Sequence, residues 1–414
     1  MNLRIMQVIK TTLSSKFVCM LLLVLVVTTS QAQKQLDIND LKSHTVYFKM
    51  PTLQTFDATT QQLLLKAVGD NQFVALAELH RSQKLSYFTT AFLKLLKSKG
   101  FNNFAMELGP FSAQVLQEAS KTPEKTLENI QKINNQYRIY RSSPLVFADR
   151  IADAAFVAEA STLGFRFWGL DQEFIYSYEM HLDALYKLLE NKNQETQQLY
   201  KQLKNQVRKK AKKSARSRKY AYNCALQQSE EIQKFFALFK DNKVAQERIN
   251  AMKMSWEIYC REEQRKRGSQ LRANYMKRNF DSLYTLASQK EQSPKVFVKM
   301  GSVHLTRGIS PYRIHDVGEY LTAKAKKNNT GFITFRHLRR FRNGKDLITH
   351  KGWQSVRLLI SVGQKDQWTL TDLRPLRDKI SKGLLVTDKR TKFEIFSYDF
   401  MLIPPNDHKA KRNF

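Results

Sequence analysis

Phe73-Val74-Ala75-Leu76-Ala77-Glu78-Leu79-His80 is the stretch from which the fold can be read. The apolar run reads as a short strand, and it stops on a carboxylate and an imidazole. Three more short apolar runs end in a similar way. Phe104-Ala105-Met106 ends at Glu107, and Phe165-Arg166-Phe167-Trp168 ends at Gly169-Leu170-Asp171. Val296-Phe297-Val298 runs on to Gly301-Ser302-Val303-His304. Polar or glycine-containing turns precede them, such as Lys99-Gly100-Phe101 and Leu163-Gly164. Helical patterns lie between, over 85–97, 112–119 and 148–160. Strands alternating with helices predict parallel βαβ units. In such sheets ligands bind at the carboxyl ends of the strands, which is where these acids and histidines fall.

Over 177–289 the pattern changes. Glycine appears once, at Gly268, and proline not at all, while Leu, Tyr, Phe and Met recur at helical spacing. This predicts a long helical insertion of about four helices. Within it, 201–220 holds ten Lys or Arg and no acid. Such a run is either a solvated face or hairpin tip, or an element that binds an anionic surface. After Pro294 the strand–helix character resumes, with strand candidates at 331–335, 356–360, 392–396 and 400–403. The expected architecture is α/β: a mostly parallel sheet flanked by helices, in two core segments, 33–176 and 290–414, separated by the all-helical insertion 177–289. No internal repeat is visible.

The N-terminus reads as a signal peptide over 1–32, cleaved near Ala32. Arg4, Lys10 and Lys16 form a basic region, 17–27 is apolar, and Ser30 and Ala32 are small residues at the cleavage site. The apolar run is shorter than the ~20 residues that cross a bilayer, which favours cleavage over a retained anchor. Cys19 follows Phe17-Val18 rather than the small residues of a lipid-attachment site. The working chain is therefore expected in the periplasm or outside the cell. Apolar residues make up 42% of the 414, enough for a packed core, and the net charge is +32. Nucleic acid, an anionic surface and a solvated basic face compete to explain that charge; export argues against sequence-specific nucleic acid. Two cysteines, Cys224 and Cys260, remain after cleavage. An oxidising compartment permits a disulfide between them, and a pair of buried thiols is the alternative. No Cys-x-x-Cys is present, which excludes thiol-based zinc and redox motifs of that kind.

Glu78 and His80, at i and i+2 on a strand end, project to one side. The pair can transfer protons or bind a metal. Glu107 closes the next strand in sequence and is expected beside Glu78. Two carboxylates that close raise one pKa, giving an acid or base near neutrality. Asp171 is either part of this site or an N-cap for a helix starting near Glu173. His304 lies between a strand and a glycine-containing loop and returns to the same sheet end. Arg81 and Arg307 each follow a site histidine closely; either holds an anionic substrate or oxyanion, or is an ordinary surface arginine. His44, His181, His315, His337, His350 and His408 have no comparable setting.

Taken in order, these blocks resemble the erythromycin esterase-like and ChaN-like superfamily, which includes haem-binding uptake and TIKI-related proteins. Ala75-Leu76-Ala77-Glu78-Leu79-His80 resembles its Gly-Glu-x-His opening. Lys99-Gly100-Phe101 followed by Phe104-Ala105-Met106-Glu107 is similar to its second block. Phe167-Trp168-Gly169-Leu170-Asp171 resembles its aspartate-ended strand, 295–304 the strand bearing a second histidine, and 398–404 the closing strand. The resemblance implies that Glu78, His80, Glu107 and His304 line the active site with Asp171 in support. In the esterase branch a histidine activates water to open a lactone ester. Three departures stand out. Ala77 replaces the usual glycine, the Glu-to-His spacing is the shorter, ChaN-like one, and no arginine occurs around Thr89 on the first helix. The function expected is hydrolysis of an ester or amide in a small-molecule substrate, under a helical cover. The first alternative is a non-enzymatic binder of haem, iron or a divalent metal through the same four side chains. The second is an envelope-associated protein acting through 201–220. The cofactor is left open among none, a divalent metal and haem.

Overall fold

The computed structural model describes residues 33–217 and 220–414; the expected signal peptide lies outside the described residues. Eight strands form the central sheet: β1 (Thr45–Phe48), β2 (Phe73–Glu78), β3 (Asn103–Met106), β4 (Arg166–Gly169), β5 (Val296–Gly301), β6 (Phe332–His337), β7 (Trp368–Asp372) and β8 (Phe400–Ile403). Their order across the sheet is β1-β7-β8-β6-β2-β5-β3-β4. All neighbours from β8 to β4 pair in parallel, and β7 is antiparallel to both β8 and β1. The α/β architecture expected from the sequence is thus the one observed.

The alternation of side chains in β2 explains its central place. Val74 and Leu76 face one buried layer, while Phe73, Ala75 and Ala77 face the other. On the first face Phe92, Phe104, Phe297, Phe335 and Phe400 pack ring against ring, with centroids 5.1–5.7 Å apart. Each buried phenylalanine contributes roughly 1.5–3 kcal/mol over an exposed one. That layer is covered by α1 (Gln83–Ser98) and α3 (Ile151–Thr162), and α2 (Pro110–Ala119) follows β3. Ser82 starts α1 by accepting the Leu85 N–H at 3.0 Å, and Pro110 occupies the first turn of α2, where no donor is missed.

Six helices, not about four, fill the stretch between β4 and β5. They are α4 (Tyr178–Lys187), α5 (Gln194–Arg216), α6 (Tyr222–Gln227), α7 (Glu230–Ala237), α8 (Lys243–Glu263) and α9 (Ser269–Ser288). Polar breaks capped by Asn193 and Asn242 divide what composition alone presents as longer helices. The first five pack a third apolar layer of their own around Trp256, Tyr178, Phe235 and Phe236, while Ala273, Met276 and Phe280 of α9 join the sheet's second layer. Within the basic helix α5, Leu203, Val207 and Ala211 are buried. Lys204 turns in onto Asp183 and Arg208 onto Glu179, at 2.8 and 2.7 Å. Among the described residues no helix is long and apolar enough to cross a membrane.

Two expected strands are helical. Residues 392–396 belong to α12 (Lys389–Ser397), because Asp388 caps the N–H groups of Arg390 and Thr391 and sets the 3.6-residue period. Residues 356–360 end a short 3-10 turn and form α11 (Arg357–Ile360), preceded in the chain by α10 (Val317–Lys327). Both segments are apolar runs too short for periodicity to distinguish strand from helix. The strands β1 and β7 were not anticipated.

Cys224 and Cys260 are joined in a disulfide that ties α6 to α8 across 36 residues of chain. Closing a loop of that length restricts the unfolded chain by about 3–4 kcal/mol. Replacing both cysteines by serine is expected to lower unfolding stability by about that much, read by urea titration. An unchanged midpoint would show that the bridge adds nothing.

Candidate active site

The strand ends meet a cavity of ≈ 290 Å³. Its floor is Glu78 at the end of β2, Glu107 just after β3, Asp171 after β4, and Lys299 in β5. Ser82 and Ser86 of α1, Asp153 of α3 and the loop 146–150 make one wall. Tyr259 and Glu262 of α8 and Arg272 of α9 make the roof. The helical stretch therefore covers the sheet end.

The sequence placed Glu107 beside Glu78, but the strand order separates them. β5 returns after the helices and inserts between β2 and β3, with Gly301 in register with Glu78 and Lys299 opposite both Leu76 and Met106. Lys299 Nζ lies 2.5 Å from Glu78 Oε2, and both side chains are almost wholly buried. Glu107 accepts the Gly301 N–H at 2.6 Å on one oxygen and an Arg272 N–H at 3.0 Å on the other. Burial alone would raise both carboxyl pKa values. For Glu78 the Lys299 ammonium and His80 outweigh burial, and for Glu107 His304, Arg272 and His80 do so. Both are held below the usual carboxylate range. The expected near-neutral carboxyl pair is therefore corrected: intervening cations keep both ionised.

Three other cavity carboxyls are raised by burial, none of them singled out in the sequence: Asp149, Glu262 and, furthest, Asp153. Asp153, on a buried turn of α3, accepts the Ser86 hydroxyl at 2.6 Å, and burial pushes its pKa up to about 7. Lys299, Arg272 and Asp153 lie inside helical or strand patterns, so nothing in their spacing marks them.

His80 is the reactive-looking group. Its Nδ1 sits 2.8 Å from Glu78 Oε1, and its side chain is 41% exposed where the two glutamates are 7% exposed. Its Nε2 is 4.0 Å from Glu107, too far for a hydrogen bond. The ring rests on Phe147 at 4.7 Å between centroids. Burial opposes a charge on this ring, but the Glu78 carboxylate outweighs burial and raises the pKa above the ordinary imidazole value. Gly301 leaves the room for this arrangement: a Cβ there would lie 3.0 Å from both His80 Nε2 and Glu107 Oε2. Arg81 and Phe147, both lining the cavity, hold positive φ of 70° and 64°, local strain of the sort found at functional sites.

The other expected site residues divide. Asp171 caps no helix; its two oxygens take Arg272 at 2.9 and 2.5 Å. His304 is buried behind Glu107, with Nδ1 on Asp316 at 2.9 Å and Nε2 3.6 Å from Glu107, and it faces a separate cleft with Tyr312. Arg81 lines the cavity. Arg307 does not: it binds Asp399 at 2.6 Å and the Phe332 carbonyl in the sheet, and of the two readings the sequence left open this is the structural one. A second buried group went unread. Glu173 accepts from Phe111 N–H at 2.8 Å, Ser112 Oγ at 2.5 Å and His181 Nε2 at 2.9 Å, fastening the start of α2 to α4.

The four side chains offered as metal ligands do not form a metal site. Among the described residues no group of three or more His, Cys, Asp or Glu is placed to hold an ion. Lys299 and Arg272 already stand where a cation would have to bind Glu78 and Glu107. A haem macrocycle needs an apolar slot, whereas this cavity is walled by six carboxyl groups.

Replacing Lys299 by Met strands a buried carboxylate and is expected to cost about 3–5 kcal/mol at neutral pH. The pH dependence has a definite sign. In the native chain the depressed Glu78 pKa contributes stability above the unfolded carboxyl pKa, and this is lost as pH falls towards the folded value. Without Lys299 the same carboxyl has a raised pKa, and its penalty disappears on protonation. Urea denaturation should therefore show the gap between native and variant narrowing in acid. A gap independent of pH would remove Glu78 as its cause.

No protein-family model matches the sequence, and no curated protein aligns with it significantly. Solved structures do match. A Bacillus cereus protein superposes at a TM-score of 0.56 with 12% identity, covering 91% of this chain and 98% of its own. A succinoglycan biosynthesis protein gives 0.54 and 15%, over 90% and 97%. A histidine-to-asparagine mutant of the erythromycin esterase EreC, in its open conformation, gives 0.52 and 13%, over 88% and 98%. Identities this low speak of the fold alone, and on that level the chain shares the α/β fold of these three structures.

Proposed function

We propose that this protein hydrolyses an ester or amide bond in a small molecule, with His80 as the base that activates water. One observation carries the reading: His80 commits one nitrogen to a buried charged pair and leaves the other in the cavity. Glu78 is ionised and can only accept, so the neutral ring must carry its proton on Nδ1 and present the Nε2 lone pair. Water gives a proton to Nε2 as its oxygen bonds to the carbonyl carbon. The tetrahedral intermediate then expels the alcohol or amine, which takes the proton back from the imidazolium. Glu78 stabilises that imidazolium; Arg272 and Lys299 also line the cavity, each already paired with carboxylates. His304 acts through Glu107, as a positioning residue.

The leader-like N-terminus adds the proposal that this occurs outside the cytoplasm, in the periplasm or beyond. The Cys224–Cys260 bridge supports it, since such bonds persist in oxidising compartments. Lys201, Lys209, Lys212 and Lys213, on the exposed face of α5, would favour an anionic envelope surface nearby.

His80→Ala is expected to lower kcat/KM for an activated ester by about 10²–10⁴-fold. It should cost less stability than Lys299→Met, because Lys299 still pairs the Glu78 carboxylate. The native profile should rise with pH through an apparent pKa above the ordinary imidazole value of about 6.5. Glu78→Gln should move that limb to lower pH, because the group that raises the pKa is gone. Hydrolysis that survives His80→Ala unchanged would eliminate the assignment.

A further inference from the structure

The segment 407–413 runs as a strap beside 81–83 and 149–151, along one edge of the cavity. Gln83 N–H donates to the His408 carbonyl at 2.9 Å and Ala410 N–H to the Arg81 carbonyl at 3.1 Å. Ile151 N–H donates to Lys411 at 3.0 Å, and Asn413 N–H to Asp149 at 3.1 Å. Bridges pair Lys409 with Ser82 and Arg412 with Arg150. Both ends are pinned. Asp407 is buried on Arg339 at 2.7 Å, and the Asn413 side chain is buried on the Ala148 carbonyl at 2.8 Å. The strap thus holds Lys409 and Arg412 against Arg81 and Arg150, which line the cavity.

We infer that the substrate carries an anionic group, a carboxylate or a phosphate, bound at this edge of the cavity by Arg81, Arg150, Lys409 and Arg412. The inference rests on the hydrolase reading of the same cavity. One acid, Asp149, faces these four cations, and it is taken by Arg150 at 3.1 Å. Among the described residues Arg81, Lys409 and Arg412 make no ion pair, although ion pairs are common elsewhere in the chain. Like charges held together on a pinned backbone repel. The Lys409 pKa is lowered, first by Arg81, and that of Arg412 is lowered by burial and then by Arg150. An oxyanion at this edge would relieve that repulsion, and guanidinium groups match its geometry. Its reacting bond would then reach towards His80, the residue before Arg81. A neutral substrate would leave the cluster uncompensated.

The test compares p-nitrophenyl esters of matched acyl length, ending in a methyl, a carboxylate or a phosphonate group. At low salt the purified protein should favour an anionic ester over the neutral one by about tenfold in kcat/KM, and the preference should shrink as added salt screens it. Lys409→Gln/Arg412→Gln, at two exposed positions, should bring the ratio close to one, with the unfolding midpoint confirming that the variant is folded. The better of the two anionic esters identifies the carboxylate or phosphate class. Equal rates on neutral and anionic esters, or a preference the double variant retains, would overturn the inference and leave the hydrolase reading standing. If no ester is cleaved, the hydrolase reading fails by itself, and calorimetric titration with glutarate and inorganic phosphate decides the anion site. Saturable binding lost in the double variant supports it; no binding overturns it.

Discussion

A lysine and a glutamate buried against each other in the middle of a parallel sheet constrain everything around them. Lys299 and Glu78 come from strands more than two hundred residues apart in sequence, and neither could be charged there without the other. Their pairing fixes β5 next to β2 in a definite register. It also fixes the ionisation of Glu78, which in turn decides which nitrogen of His80 bears the proton. The register of β2 and β5, the charge on Glu78 and the tautomer of His80 thus meet at one contact.

The helical stretch completes what that contact begins. Arg272 at the start of α9 bridges Glu107 and Asp171, the ends of β3 and β4. Glu173, buried between α2 and α4, closes the same side with backbone and hydroxyl donors. Without the cation of α9, Asp171 would lose its ion-pair partner and Glu107 would be left with the Gly301 N–H and the nearby histidines, which costs more than a missing surface ion pair. The cover is therefore an electrostatic part of the site as well as its roof.

Much of this was legible in the sequence. Apolar runs ending on Glu78, Glu107 and Asp171 reported the parallel strands and the sheet end because both faces of these strands are buried and each ends in a polar loop. Cys224 and Cys260 are two of only three cysteines in the chain, and the sequence left open whether they pair or stay thiols. The strand order could not be read. Nothing local says that β5 slides between β2 and β3, and with that order unknown the carboxyl pair was placed wrongly. Lys299 sits within an apolar strand and Arg272 in a helix full of basic residues, so neither looks unusual until tertiary contacts select it. His304 had the right sequence setting, yet its turn rotates it behind Glu107. The strands β1 and β7 lie at and beside the sheet's far edge, where short, mixed sequences carry a weak alternation.

The carboxyl groups of one small cavity end up in different states, set by the balance of burial against the cations they meet; Asp149 touches Arg150 and is still raised by burial. Glu78 and Glu107 each touch one and stay ionised; Asp153 touches only a hydroxyl and is pushed up to about 7 by burial. Lys299 acts on Asp153 as well as on Glu78, but its contact is with Glu78, so the proton is sorted by a difference of distance rather than of residue type. A carboxyl with a raised folded pKa costs stability once pH rises above that value. A chain selected for stability alone would place an amide or an apolar residue at Asp153. Asp153 is thus an acid that changes charge near neutrality within the cavity that holds His80.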